Sequence, residues 1–278
     1  MLALTVLASG SQANCSALVI DERRLVLIDA GLSPRATCER LFAAIERRPE
    51  EATDLFITHL DADHYREGWN RLLRRHPIRV RLHRRHLVEA IAVGIPESSI
   101  DPFDDGCDIA DGVTAHAVRM PHDDRGSTAL VFEWTDEVSV ARVGFATDLG
   151  RVPESLHATF ADLDVLAIES NYDHAMQLAS DRPQFLKTRI MSGRGHLSNE
   201  QSLQAAARVD RASNLKAIVL LHLSRQCNCP ELVRRLWQQR ASHLADRLVV
   251  ASQFTSTPTV VAARRERRSR IAEPQLFA

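Results

Sequence analysis

The chain has 278 residues, 45% of them apolar, with a formal net charge of -1 and a pI near 6.9. That length and apolar fraction fit one large α/β domain with a full core. No run approaches the roughly 20 apolar residues that a membrane-crossing helix needs, and the near-neutral charge excludes a global basic footprint for nucleic acid.

In chain order, β-type runs fall at residues 2–7, 17–20, 25–28, 55–58, 78–82, 113–119, 129–134, 138–146, 165–168, 217–221, 248–251 and 259–263. The first follows Met1 without a basic flank and flows into Ser9-Gly10-Ser11, so it reads as a strand rather than a signal peptide. Cys38, Leu41, Phe42 and Ile45 recur at helical spacing and predict one apolar stripe. Pro230 opens a second helix, with Leu232, Val233, Leu236 and Trp237 on its inner side. Strands in both halves with helices between them fit two sheets faced by helices. Residues 1–263 read as one domain and 264–278 as an appended basic tail, which either grips a DNA backbone or solubilises a disordered end.

Five scattered cysteines, Cys15, Cys38, Cys107, Cys227 and Cys229, read as free thiols in a reducing cytoplasm. Cys227-Asn228-Cys229 is too short for a C-x₂-C zinc pattern and reads as a loop, with a redox or metal role as the alternative. Apart from Lys187 and Lys216 every cation is arginine, which suits bidentate phosphate contacts but is better explained by a GC-rich genome. Trp69 and Trp134 read as packing residues. His76, His83, His86, His116, His157, His174 and His243 have no ligand context.

Thr58-His59-Leu60-Asp61-Ala62-Asp63-His64 closes the apolar run Leu55-Phe56-Ile57 and puts four potential metal ligands at a strand end. Extended chain alternates its side chains, so His59 and Asp61 can point one way. A helix starting near Asp63 would turn Asp63 and His64 to a second direction, letting one loop serve two cations. Imidazole with carboxylate is the ligand pair of a hydrolytic Zn, Mn or Fe site; the alternative is a chance cluster in a solvated loop. The same placement recurs at Asp29-Ala30-Gly31, Met120-Pro121-His122-Asp123, Ala146-Thr147-Asp148 and Leu221-His222-Leu223-Ser224, each where an apolar run gives way to a loop. Strand ends opening on one sheet edge are how α/β folds assemble sites from distant residues.

With these residues the chain resembles the metallo-β-lactamase superfamily, whose signature is HxHxDH followed by separate His, Asp and His ligands. Ser9-Gly10-Ser11 with Asn14, Asp29-Ala30-Gly31-Leu32-Ser33, Thr147-Asp148-Leu149-Gly150, Glu169-Ser170-Asn171-Tyr172-Asp173, Gly195-His196-Leu197-Ser198-Asn199 and His222-Leu223-Ser224 resemble its YycJ/WalJ-like exonuclease branch, over about residues 3–232. The resemblance implies an α/β (α+β) fold, a four-layer αββα sandwich. It also implies two divalent ions, Zn, Mn or Fe: one on His59, Asp61 and His122, the other on Asp63, His64 and His222, with Asp148 bridging. Asp61 departs from the pattern, which has histidine there. The extra carboxylate favours Mn²⁺, so Mn²⁺ is expected to support activity at least as well as Zn²⁺; the alternative is a weakened first site.

The implied catalytic residues are Asp63 and His196, the latter protonating the leaving oxygen or contacting phosphate, with a metal-bridging hydroxide as nucleophile. The alternative for His196 is a local hydrogen bond ahead of a helix. Asp29 is implied to orient a ligand histidine, or else forms a simple turn. Ser9, Ser11, Asn14 and Asn171 are implied to lie near the site, with ordinary turns as their alternative. Ser198 with Gln201 matches a helix capping box, which takes precedence over a substrate contact. The expected function is metal-dependent phosphodiester hydrolysis, as a cytoplasmic 5′→3′ DNA exonuclease. The alternatives are hydrolysis of a small ester, lactone or cyclic phosphodiester, or a catalytically weak binding protein on the same scaffold.

Overall fold

Side-chain parity along the strands sets the layering. Leu25 and Leu27 face one buried cluster while Val26 and Ile28 face another; Leu166 and Ile168 divide from Val165 and Ala167 in the same way. Both faces of these strands are therefore covered, as parallel strands require. The structure is a computed structural model that describes residues 1–266. Its strands are β1 (Leu2–Ala8), β2 (Cys15–Ile20), β3 (Arg24–Ile28), β4 (Ala52–Ile57), β5 (Arg79–His83), β6 (Ile100–Phe103), β7 (Gly106–Ala110), β8 (Val113–Met120), β9 (Ser127–Thr135), β10 (Ser139–Ala146), β11 (Val165–Glu169), β12 (Ala217–Leu221), β13 (Leu248–Val250), β14 (Val260–Ala262) and β15 (Arg265–Glu266). One sheet runs β14-β1-β2-β3-β4-β5-β6 and the other β13-β12-β11-β10-β9-β8-β7, with β15 on β10. Strands β3 to β6 and β10 to β13 are parallel.

Phe56, Phe132, Phe145 and Trp134 fill the space between the sheets. Leu41, Trp69 and Ala90 from helices Pro34–Ile45, Trp69–Leu73 and Leu87–Ala92 cover the first sheet's outer face. Leu203, Val233 and Trp237 from Asn199–Arg211 and Pro230–Arg240 cover the second. This is the four-layer αββα sandwich. All five cysteines are unpaired. No described helix is long and apolar enough to cross a membrane.

Several local expectations need correction. Phe42 does not share the stripe of its helix: it is 52% exposed, beneath the Arg48 guanidinium, while Thr37 and Leu41 face inward. No helix starts near Asp63. A tight turn stands there, with His64 N and Tyr65 N both donating to Asp61 O, at 2.7 and 2.9 Å. Strands β6 and β7 lack an apolar alternation, since Asp101, Pro102 and Asp108 interrupt them; pairing with β5 and β8 holds them. Arg264 stacks 3.8 Å from the Trp134 ring and pairs with Asp21, and Arg265 pairs with Asp164. The rest of the basic tail lies outside the described residues.

Candidate metal centre

Six residues of the site stand at the C-terminal ends of strands, the edge at which α/β sheets place their ligands. Asp29 follows β3, His59 follows β4, His122 follows β8, Asp148 follows β10, Glu169 ends β11 and His222 follows β12. Asp29, Asp148 and His222 have φ of 59°, 55° and 56°, a left-handed conformation that non-glycine residues adopt at a cost and that clusters at functional sites. Gly31 permits the closest approach: a Cβ there would stand 1.7 Å from Asp63 O, so only glycine lets this turn meet the ligand loop.

Four groups of donors form among the described residues, each with ligand atoms within 4.8 Å of one another; two of them are His59, His122 and Asp148, and Asp63, His64 and His222, and a third joins Asp148 and His222 to Glu169 and His196. His64 Nε2 lies 3.0 Å from Asp148 Oδ2, and His222 Nε2 lies 3.3 Å from Asp63 Oδ2 and 3.6 Å from Asp148 Oδ1. Asp148 therefore stands between the groups. Asp61 stays at the rim: its side chain is 54% exposed, with Oδ2 3.7 Å from His59 Nε2, and its donors group with His122 and Asp123.

The surrounding residues fix these rings. Asp29 Oδ2 is 2.7 Å from His64 Nδ1, and Asp29 Oδ1 accepts from Thr58 N at 2.8 Å and Thr58 Oγ1 at 3.0 Å. Asn14 Nδ2 donates to Asp63 Oδ2 at 3.2 Å, and its Oδ1 accepts from Ser9 Oγ and Gly10 N. Ser9 Oγ accepts from His222 N at 2.8 Å, while Asn171 Nδ2 donates to His222 O at 2.9 Å and stands 3.0 Å from its Nδ1. Ser11 lines the cleft over the centre. Ser198 caps helix Asn199–Arg211, its Oγ accepting from Gln201 N at 3.2 Å, and Asp173 caps His174–Ala179.

Charge and burial suit cations. Asp29, Asp148 and Glu169 are almost wholly buried, a costly state for carboxylates without positive partners. His59 Nε2 is buried with no hydrogen-bond partner. Burial and the nearby His64 push the His59 pKa well below its ordinary 6.5, leaving the neutral imidazole a metal requires. Burial also opposes charge on His64, but Asp148 and Asp29 on either side hold its pKa well above 6.5. Burial opposes ionisation of Asp148 too, yet His222 and His64 keep its pKa well below the carboxylate range. The carboxylates around His64 thus favour positive charge at this position, and the donor set fits divalent ions there.

Two residues of the region escape the sequence reading. Glu169 Oε1 lies 2.6 Å from His196 Nδ1, and its Oε2 accepts from Leu149 N at 2.6 Å. Burial lowers the His196 pKa, but Glu169 outweighs it and raises the value to about 9. The signal was present: Glu169 is a carboxylate at a strand end, like Asp29. His86, just beyond β5, is buried with neither ring nitrogen hydrogen-bonded, beside a cavity of about 430 Å³ that His59 and Asp61 also line.

The profile described as "Beta-lactamase superfamily domain" matches residues 24–223, a span from before Asp29 to just past His222. The chain is 30% identical over 236 residues to "Exodeoxyribonuclease YycJ" of Bacillus anthracis, covering 84% of this chain and 86% of that protein. It is 30% identical over 233 residues to "Exodeoxyribonuclease WalJ" of Streptococcus pneumoniae, covering 82% and 84%. The crystal structure of Zn²⁺-bound PqqB from Methylobacterium extorquens superposes with a TM-score of 0.66 at 14% identity, over 91% of this chain and 99% of that one.

Proposed function

The chain belongs to the beta-lactamase superfamily and is a metal-dependent hydrolase, and from that premise we propose that it degrades DNA from an end, in the 5′→3′ direction. The observation that carries the reading is similarity over most of its length to two exodeoxyribonucleases, in a chain that retains the strand-end His and Asp residues.

In this reading His59, His122 and Asp148 would hold one divalent ion, with Asp61 as a further donor beside them, and Asp63, His64 and His222 would hold the other, Asp148 standing between the two groups. Bound there, the ions supply Lewis acidity at a phosphoryl oxygen and a lowered pKa for water. The chain supplies the rest. Asp29 fixes the His64 ring, Asn14 fixes the Asp63 carboxylate, and Asn171 with Ser9 fixes the backbone that presents His222. His196, partly open to the cleft and paired with buried Glu169, carries the proton that the leaving oxygen takes.

The net charge of -1 and a cleft volume of about 380 Å³ favour a second reading, hydrolysis of a small ester or cyclic phosphodiester. Linear and covalently closed circular DNA of one sequence separate the two. An exonuclease consumes the linear form and spares the circle. Turnover of bis(p-nitrophenyl) phosphate with both DNA forms intact supports the small-molecule reading.

A further inference from the structure

The cleft over the centre is lined by Asp61, Asp63, Asp148, His196 and His222, and by Arg182 and Arg189. Ions bound at the centre would offset these carboxylates, and an arginine without an acidic partner would add a fixed positive charge beside them for a phosphate. Arg189 is neutralised by Asp123, to which both its Nε and its Nη2 donate. Arg182 is not. No carboxylate among the described residues lies within the 4.0 Å of an ion pair. Its Nη1 donates to Gln177 Oε1 at 3.0 Å, its Nε to Gln226 Oε1 at 3.1 Å and its Nη2 to Ser224 Oγ at 3.3 Å.

Three neutral acceptors fix the plane of the guanidinium without cancelling its charge, and each Nη keeps a further N–H for a ligand. Gln177 and Ser224 are buried, so the frame is built into the fold. Ser224 lies two residues past His222, which ties the cation to the loop carrying one of the centre's histidines. A planar donor fork of full charge, preformed beside a hydrolytic centre, matches the oxygens of a phosphate.

We propose that Arg182 binds a phosphate group of the substrate and orients it over the centre, an assignment that rests on the nuclease reading above. The ligand is either the terminal 5′-phosphate or an internal phosphodiester of the strand.

The test measures kcat and KM of the metal-loaded wild type, Arg182→Ala and Arg182→Lys. Its substrates are a 5′-phosphorylated oligonucleotide, its 5′-hydroxyl counterpart and bis(p-nitrophenyl) phosphate. Arg182→Ala should raise KM on DNA roughly 10- to 100-fold with little change in kcat, the range expected of one charge-assisted hydrogen-bond group. Arg182→Lys should recover part of that loss. The slope of log(kcat/KM) against log salt should become shallower by about 0.7 to 0.9 per contact removed. A loss confined to 5′-phosphorylated DNA assigns the contact to the terminal group, and equal loss on both DNAs assigns it to an internal diester. Unchanged KM and salt slope overturn the assignment. So does a fall in kcat that is equal in both variants and extends to the small diester, which would mark Arg182 as a brace for the His222 loop. Wild-type turnover of the small diester with no DNA cleavage overturns the nuclease reading itself.

Discussion

Asp29 Oδ2 sits 2.7 Å from His64 Nδ1, and both side chains are almost completely shut off from water. This contact aims His64 Nε2 at Asp148, 3.0 Å away, and so links the turn after β3 to the middle of the centre. Carboxylates that hold a ligand histidine in this way set both its orientation and its basicity.

Asp29→Asn should weaken divalent-ion binding by roughly 10- to 100-fold while the fold persists, because asparagine keeps the shape and tolerates the left-handed backbone at this position. Competition with a chelating dye measures it. Unchanged affinity would remove Asp29 from the account.

Glu169→Gln should lower kcat by about 10² or more with KM nearly unchanged. The substitution leaves His196 in place but takes away the carboxylate that favours its charged form. Loss of KM alone would instead assign His196 to substrate binding.

The sequence made the edge of the sheet legible and left its depth obscure. His59, His122, Asp148 and His222 stand out because each ends an apolar run, a pattern that needs no tertiary information. The role of Asn14 could not be read the same way: it depends on the Asp63 loop closing over Gly31, a contact between residues about fifty positions apart. The wall carrying Arg182 is equally nonlocal, since its hydrogen bonds reach back to Gln177 and forward to Ser224 and Gln226. Strands β6 and β7 were invisible because pairing, rather than an apolar pattern, sustains them.

Asp61 lies at the open side of the first donor group, with one more carboxylate than a histidine would bring. Mn²⁺ should therefore support turnover at least as well as Zn²⁺, and Asp61→His should shift the preference toward Zn²⁺. Metal content and rate, measured with each ion, check this. A rise in both with every metal would show that Asp61 impairs the site rather than tuning it.

His86 couples stability to pH. Burial, reinforced by Arg85, lowers its pKa from 6.5 to about 4, against a smaller opposing effect of Glu89. Between those values the unfolded chain binds the extra proton, so stability falls as pH drops below about 6.5 and levels off near 4. The loss should reach about 2 kcal/mol at pH 5. His86→Leu should abolish this part of the acid sensitivity, read as the difference in urea midpoints between pH 7 and pH 5. An equal acid loss in wild type and variant would contradict it.

The most direct measurement is degradation of 5′-phosphorylated duplex DNA by the purified protein with added Mn²⁺, with His64→Ala as the matched control. The wild type should shorten the DNA from its ends, and the variant should leave it intact. DNA left intact by the wild type, or lost equally with the variant, would contradict the exonuclease reading.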